Sequence, residues 1–235
     1  DCNDKDHCTI DTCDADTKEC RYELSFDKCR TVGKPTALAV RVTALDVETT
    51  MSLDEMKATI FGTSDAALSA KSQLNSCSSS KFQLMPYSGK LNNYAAIVDG
   101  VAEVNLIKKV IGEETASVEK AILAAANEKY GNLESQVDLI LLFVPAGTIS
   151  AGTTEWKAYA YTNNWLSVYN DKVTSFPGII MHEVGHNIGL LHSNDEVSYG
   201  DGTCLMGASP TKVDGPHMCF NSAKSWQLGW YDDTN

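Results

Sequence analysis

From Ala37 to Leu45 apolar and polar residues alternate, which predicts a strand. Ser52-Leu53-Asp54-Glu55 then offers a capping box, so a short helix should start there. Ala66 to Asn75 also reads as helical, and strands follow at Phe82 to Pro86 and Val101 to Ile107. Ser117 to Tyr130 is rich in alanine and is followed by Gly131, the pattern of a helix with a glycine stop. Val137 to Val144 is apolar except for Asp138 and ends at Pro145. Such a run predicts a strand buried on both faces, hence the central strand of a sheet. Lys157 to Tyr161 and Leu166 to Tyr169 are richer in aromatics and are placed at the sheet's rim. Phe176-Pro177-Gly178 reads as a turn launching a helix whose Ile179, Ile180, Val184 and Ile188 face the core. Trp226, Leu228 and Trp230 are expected to pack a last helix.

Residues 1–35 have a different texture, short of aliphatics and rich in Asp, Cys, Thr and Lys. They cannot bury a core of their own, so disulfides must staple them. Five of the eight cysteines, Cys2, Cys8, Cys13, Cys20 and Cys29, fall here, which points to an oxidising, extracellular compartment. If all eight pair, one bridge runs from this cluster to Cys77, with Cys20 or Cys29 as its partner, and Cys204 pairs with Cys219. A latency role for Cys77, as a thiolate blocking a metal, is disfavoured by its serine-rich surroundings. The phrase Cys8-Thr9-Ile10-Asp11-Thr12-Cys13-Asp14 resembles the short cysteine-rich repeats of extracellular proteins, a module that offers a surface for an assembly partner. Asp4, Asp6 and Asp11 make Ca²⁺ a weak candidate, because no twelve-residue loop ending in Glu is present and solvated acidic turns explain them. The chain thus divides into a module at 1–35 and a domain at 36–235.

The 235 residues suffice for one catalytic domain and a small appendage. A net charge of -12 without any Lys/Arg run excludes nucleic acid as the main partner, and no apolar stretch approaches a bilayer span. No Asn-x-Ser/Thr sequon is present.

The chemistry lies in His182-Glu183-Val184-Gly185-His186-Asn187-Ile188-Gly189-Leu190-Leu191-His192, a full H-E-x-x-H-x-x-G-x-x-H. Residues four apart on a helix lie about 40° apart around the axis and roughly 6 Å along it, so His182 and His186 share a face and can grip one ion. A third ligand at helical spacing would lie too far round, so the chain must turn, and Gly189 tolerates the left-handed turn that returns His192 to the metal. Three imidazoles leave one position of a tetrahedral Zn²⁺ for water, the mark of a catalytic site. Glu183 is placed as the general base that takes a proton from that water and passes it to the leaving amine. Five specified positions would co-occur by chance in such a composition with probability on the order of 10⁻⁵. An ordinary helix with incidental histidines is therefore set aside.

This motif resembles that of the metzincin zinc peptidases, which also carry a methionine-bearing turn beneath the zinc, and Cys204-Leu205-Met206-Gly207 offers Met206 for it. Longer phrases are similar to the gametolysin family of algal cell-wall peptidases: Trp165 to Asn170, Tyr199-Gly200-Asp201, and Gly215 to Trp230. The resemblance runs over about residues 37–232 and is strongest from Trp156 onward. It implies an α+β fold, α/β-like in an upper subdomain (36–192) of twisted mixed sheet and helices, with a small irregular lower subdomain (193–235). It implies further a secreted zinc metalloendopeptidase acting on protein or peptide substrates such as cell-wall or matrix glycoproteins, bound as an added strand on the sheet edge. In one respect the chain departs from some metzincins, which place a tyrosine two residues after the turn methionine; here that residue is Ala208. His217 and Tyr199 can be considered as substitutes, though a structural or surface role is the simpler reading of each.

Two rivals stand beside the peptidase. A catalytically silent structural or adhesive protein would have no need of Glu183, and a hydrolase of non-peptide bonds would not share the turn and the family phrases.

Overall fold

A computed structural model describes all residues except 1, 3, 5–7, 65–66, 92–95, 172–175, 195, 208–217 and 232–235. The N-terminal module is a hairpin of β1 (Thr9–Cys13) and β2 (Cys20–Leu24), paired antiparallel from Thr9↔Leu24 to Cys13↔Cys20. Its turn is closed by the Asp14 carboxylate, which accepts from the N–H groups of Asp16 and Thr17 at 2.9 Å each. Disulfides Cys2–Cys20 and Cys8–Cys29 staple it.

The remaining elements are β3 (Thr36–Thr43), α1 (Leu53–Phe61), α2 (Ala70–Cys77), β4 (Met85–Pro86), β5 (Gly89–Lys90), β6 (Ala96–Ile97), β7 (Val101–Asn105), α3 (Thr115–Tyr130), β8 (Leu139–Val144), β9 (Ala158–Ala160), β10 (Leu166–Asn170), α4 (Pro177–Asn187) and α5 (Ser222–Gln227). The main sheet runs β4-β3-β8-β10-β9, with β7 sharing the β4 edge of β3. Every pairing is parallel except the last, in which β9 lies antiparallel to β10 at the edge. The fold is thus α+β with a mixed sheet, and β8, all six residues buried, is its central strand.

Two cores form because the strand pleat sends alternate residues to opposite faces. Ala37, Ala39, Leu139, Leu141 and Phe143 face α1, α2 and α4, and Leu38, Val40, Val42, Ile140 and Leu142 face Val118, Ile122 and Ala126 of α3. Helix α1 starts with the capping box at Ser52 and Glu55, and α3 stops at Gly131. Helix α2 begins later than its composition suggests, because Ser69 forms its own capping box with Ser72. The strand expected over Phe82–Pro86 is reduced to a bridge at Gly33↔Phe82 and the pair Met85–Pro86. Pro35 and Pro86 lack the N–H groups a continuous ladder needs.

The expected cysteine pairing needs correction. Cys219 bonds Cys77, not Cys204, and no bridge joins the N-terminal module to Cys77. Leu205 N donates to Cys219 O, which sets the two segments side by side, but Cys204 is fully buried while Cys219 is exposed. The Cys219 sulfur is taken by Cys77, and the Cys204 thiol stays in the core. The Cys204 thiol accepts instead from Asn221 N at 3.3 Å, and Cys13 is a free, exposed thiol. What joins the module to the rest is packing: Phe26 and Val32 belong to the same core cluster as Phe82 and Trp230, and Trp230 Nε1 donates to Thr31 O at 2.8 Å.

Candidate active site

Helix α4 starts with Pro177 in its first turn, where the missing N–H costs nothing, and its buried Ile180, Val184 and Asn187 fix its roll against the sheet. His182 and His186 then face outward together, with ring centroids 5.0 Å apart. The helix ends at Ile188, and Gly189 takes φ 99°, a left-handed conformation that side chains resist. The chain turns back there and brings His192 to 4.8 Å from His186 and 5.4 Å from His182, centroid to centroid.

Backbone carbonyls orient the rings. His182 Nδ1 lies 2.7 Å from Leu205 O, and His186 Nδ1 lies 2.7 Å from Leu190 O. A carbonyl only accepts, so each Nδ1 carries the proton and each Nε2 turns a lone pair to the centre. The Nε2 atoms of His186 and His192 are 3.1 Å apart. One ligand atom from each of the three imidazoles lies within 4.8 Å of the others, the one such group of His, Cys, Asp or Glu among the described residues. Three imidazoles whose ligand nitrogens converge suit zinc in softness and number. Asp4, Asp6 and Asp11 form no comparable group among the described residues, with Asp6 outside them, so nothing supports calcium.

Met206, fully buried, packs against Gly185 of α4 and sits in the turn whose Leu205 carbonyl holds His182. A Cβ on Gly185 would stand 2.6 Å from Met206 Sδ and 3.1 Å from the Phe220 ring, so the helix can approach this turn only with glycine at 185. Burial pushes the Glu183 carboxyl up to about 8, and its Oε2 is buried with no hydrogen-bond partner. Burial pushes the His182 imidazole down to about 4, and His186 and His192 are lowered as well. The empty-handed carboxyl beside three neutral imidazoles is the electrostatic complement of a divalent cation and a polar ligand.

The site opens into a cleft of about 410 Å³ walled by Ala158, Tyr159 and Ala160 of edge strand β9 on one side and by Tyr199 on another. Strand β9 is held from both faces. Buried Glu119 on α3 accepts from Tyr159 Oη at 2.6 Å and Tyr161 Oη at 3.1 Å, while Asn187 Nδ2 on α4 donates to Tyr161 O at 3.3 Å and Leu166 O at 2.9 Å.

The profile of the gametolysin peptidase M11 family matches residues 42–234. The chain belongs to that family. It is accordingly a zinc metallopeptidase, with protein as the substrate class. Among solved structures it is similar to archaemetzincin from Methanopyrus kandleri, at 13% identity over 82% of this chain and 94% of that one, with a TM-score of 0.46. A zinc-dependent peptidase from Methanocorpusculum labreanum is similar at 12% identity over 82% and 99% of the two chains, with a TM-score of 0.43. No curated relative matches the chain.

Of the residues singled out from the sequence, this metallopeptidase brings together His182, Glu183, His186 and His192, with Gly189 at the turn and Met206 buried against Gly185; Ala208 and His217 lie outside the described residues. Sequence reasoning passed over Gly185, the carbonyls of Leu190 and Leu205, Asn187 and Glu119. A glycine between the two helical histidines was a signal for close approach. Carbonyls carry no signal in a sequence.

Proposed function

We propose that this protein is a secreted zinc endopeptidase in which His182, His186 and His192 hold the metal and Glu183 is the general base. The observation that carries the reading is the convergence of one ligand nitrogen from each of three imidazoles beside a buried carboxyl whose Oε2 has no partner. When bound, zinc supplies Lewis acidity toward a carbonyl oxygen and lowers the pKa of water. Glu183 takes one proton from the attacking water and delivers it to the amine nitrogen as the C–N bond breaks. Met206 and Leu205 form the floor that keeps His182 in place, and Gly189 fixes the return of His192. The substrate lies along β9, whose outer edge has no strand partner among the described residues, as an added antiparallel strand. The three disulfides support an extracellular setting, where wall or matrix proteins are the targets, and the module at 1–35 is the surface for an assembly partner.

Incubation of the protein with a mixed peptide library, with and without a chelator, tests this beside Glu183→Ala. Cleavage abolished by the chelator and reduced at least about 1,000-fold in the variant is expected. Equal cleavage by the variant would remove Glu183 from the mechanism, and no cleavage by either protein would favour a silent scaffold.

A further inference from the structure

We propose that the phenol of Tyr199 is a catalytic hydrogen-bond donor to the oxygen of the scissile carbonyl as negative charge develops on it; this rests on the peptidase reading above. Tyr199 lines the same cleft as Glu183 and the three histidines. Its ring centroid lies 3.8 Å from that of His192 and 6.2 Å from that of His182. The Tyr199 ring is therefore packed against the histidine cluster on the lining of the cleft that β9 also borders. Tyr159, Thr162, Asn194 and Ser198 are the other neutral side-chain donors on that lining, but the Tyr159 hydroxyl donates to Glu119, and of these residues Tyr199 is the one with ring contacts to two of the imidazoles.

Its hydroxyl has no hydrogen-bond partner among the described residues, and the side chain is 45% exposed. A tyrosine kept for packing alone would bury its ring and satisfy its hydroxyl elsewhere. This one lines the cleft with a hydroxyl that no protein group among the described residues engages. The backbone carries it at φ 64°, a left-handed conformation that costs a β-carbon residue roughly 1 kcal/mol and persists only where neighbours enforce it. They do so on its C-terminal side. Gly200 N donates to Val197 O at 2.9 Å, and the Asp201 carboxylate accepts from Thr203 N at 2.8 Å, Thr203 Oγ1 at 2.6 Å and Asn221 Nδ2 at 2.8 Å. The turn that presents Tyr199 is thus bolted to the segment leading into α5.

In the step this serves, the water oxygen bonds to the carbonyl carbon and the C=O π pair moves onto oxygen, while Glu183 accepts the water proton. Tyr199 donates a hydrogen bond to that oxygen without giving up its proton. The C=O bond then re-forms, the C–N bond breaks, and the proton on Glu183 leaves with the amine. A donor aimed at charge that exists only in the transition state raises kcat and leaves ground-state binding nearly unchanged.

The test compares wild type and Tyr199→Phe, which keeps the ring against His192, on a peptide that the wild type cleaves. It also measures by calorimetry the affinity of the zinc-loaded proteins for a phosphinic peptide, whose tetrahedral P–O⁻ mimics the oxyanion. A kcat lower by about 100-fold, KM within twofold, and phosphinate affinity weakened in step with kcat are expected, with zinc affinity and Tm unchanged. Values of kcat and phosphinate affinity within twofold of wild type would overturn the proposal while leaving the peptidase intact. A tenfold loss of zinc affinity would overturn it by making the phenol a metal ligand. Should the wild type cleave no peptide, the peptidase reading fails by itself, and phosphinate affinity still decides whether Tyr199 binds an oxyanion.

Discussion

Glu183 and His182 are neighbours in the chain, and burial displaces both from their ordinary values, the carboxyl up to about 8 and the imidazole down to about 4. Each shift is a stability statement for the metal-free protein. Between about pH 4.5 and 8 the folded chain holds a proton on Glu183 that the unfolded chain has lost, so this residue makes stability fall as pH rises through that window. Between about 6.5 and 4 the unfolded chain protonates residue 182 and the folded chain does not, so stability also falls as pH drops. Chelator-treated protein should therefore show a thermal midpoint that declines on both sides of mildly acidic pH. Glu183→Gln, which removes the carboxyl but not its volume, should stabilise the metal-free protein at pH 8 by about 3–5 kcal/mol, with the gain vanishing near pH 4.5. A glutamine variant no more stable than wild type at pH 8 would show that the carboxyl is not held in a desolvated site.

At the scale of elements, the edge strand β9 depends on helices that approach it from opposite sides. It is three residues long and pairs with β10 alone among the described residues, so its own ladder is weak. Glu119 on α3 compensates through two phenolic hydrogen bonds, and burial together with that carboxylate raises both phenols, Tyr159 well above the usual range. Glu119→Ala leaves two hydroxyls without their acceptor, a loss of about 1–3 kcal/mol. Because the strand is proposed to pair with substrate, KM should rise several-fold while kcat changes little. Amide exchange at Tyr161, whose N–H donates to Leu166 O, should quicken at the same time. Unchanged exchange there would show that Glu119 does not position the strand.

The whole molecule is bound together at places far apart in sequence. The Cys77–Cys219 bridge spans 142 residues and ties the end of α2 to the segment after the Met206 turn. The N-terminal module joins by packing, with Phe26 edge-on to Phe82 at 6.2 Å and Val32 in the same cluster. We propose the division at 35/36 as a boundary between segments that share one core. A chain starting at residue 36 should accordingly lose the burial of two apolar side chains, about 3–6 kcal/mol, read as a lower urea midpoint. An unchanged midpoint would make the module an independent appendage.

Legibility followed the range of the interaction. The spacing of His182, His186 and His192, the capping box at Ser52 and the glycine stop at 131 rest on contacts within about ten residues, and periodicity displays these directly, while the unbroken apolar run that became β8 shows by its composition that both faces are covered. Pairing across long separations left no such trace. The partner of Cys219 lies 142 residues earlier, at the end of α2, and only the packing of these remote segments brings the two thiols together. Likewise the carbonyls that fix the histidine tautomers, the carboxylate that pins β9 and the tyrosine presented above His192 came together only through packing of segments remote in the chain. Local geometry is written in the order of residues, whereas meeting points between distant segments are set by the free energy of burying both faces of one sheet at once.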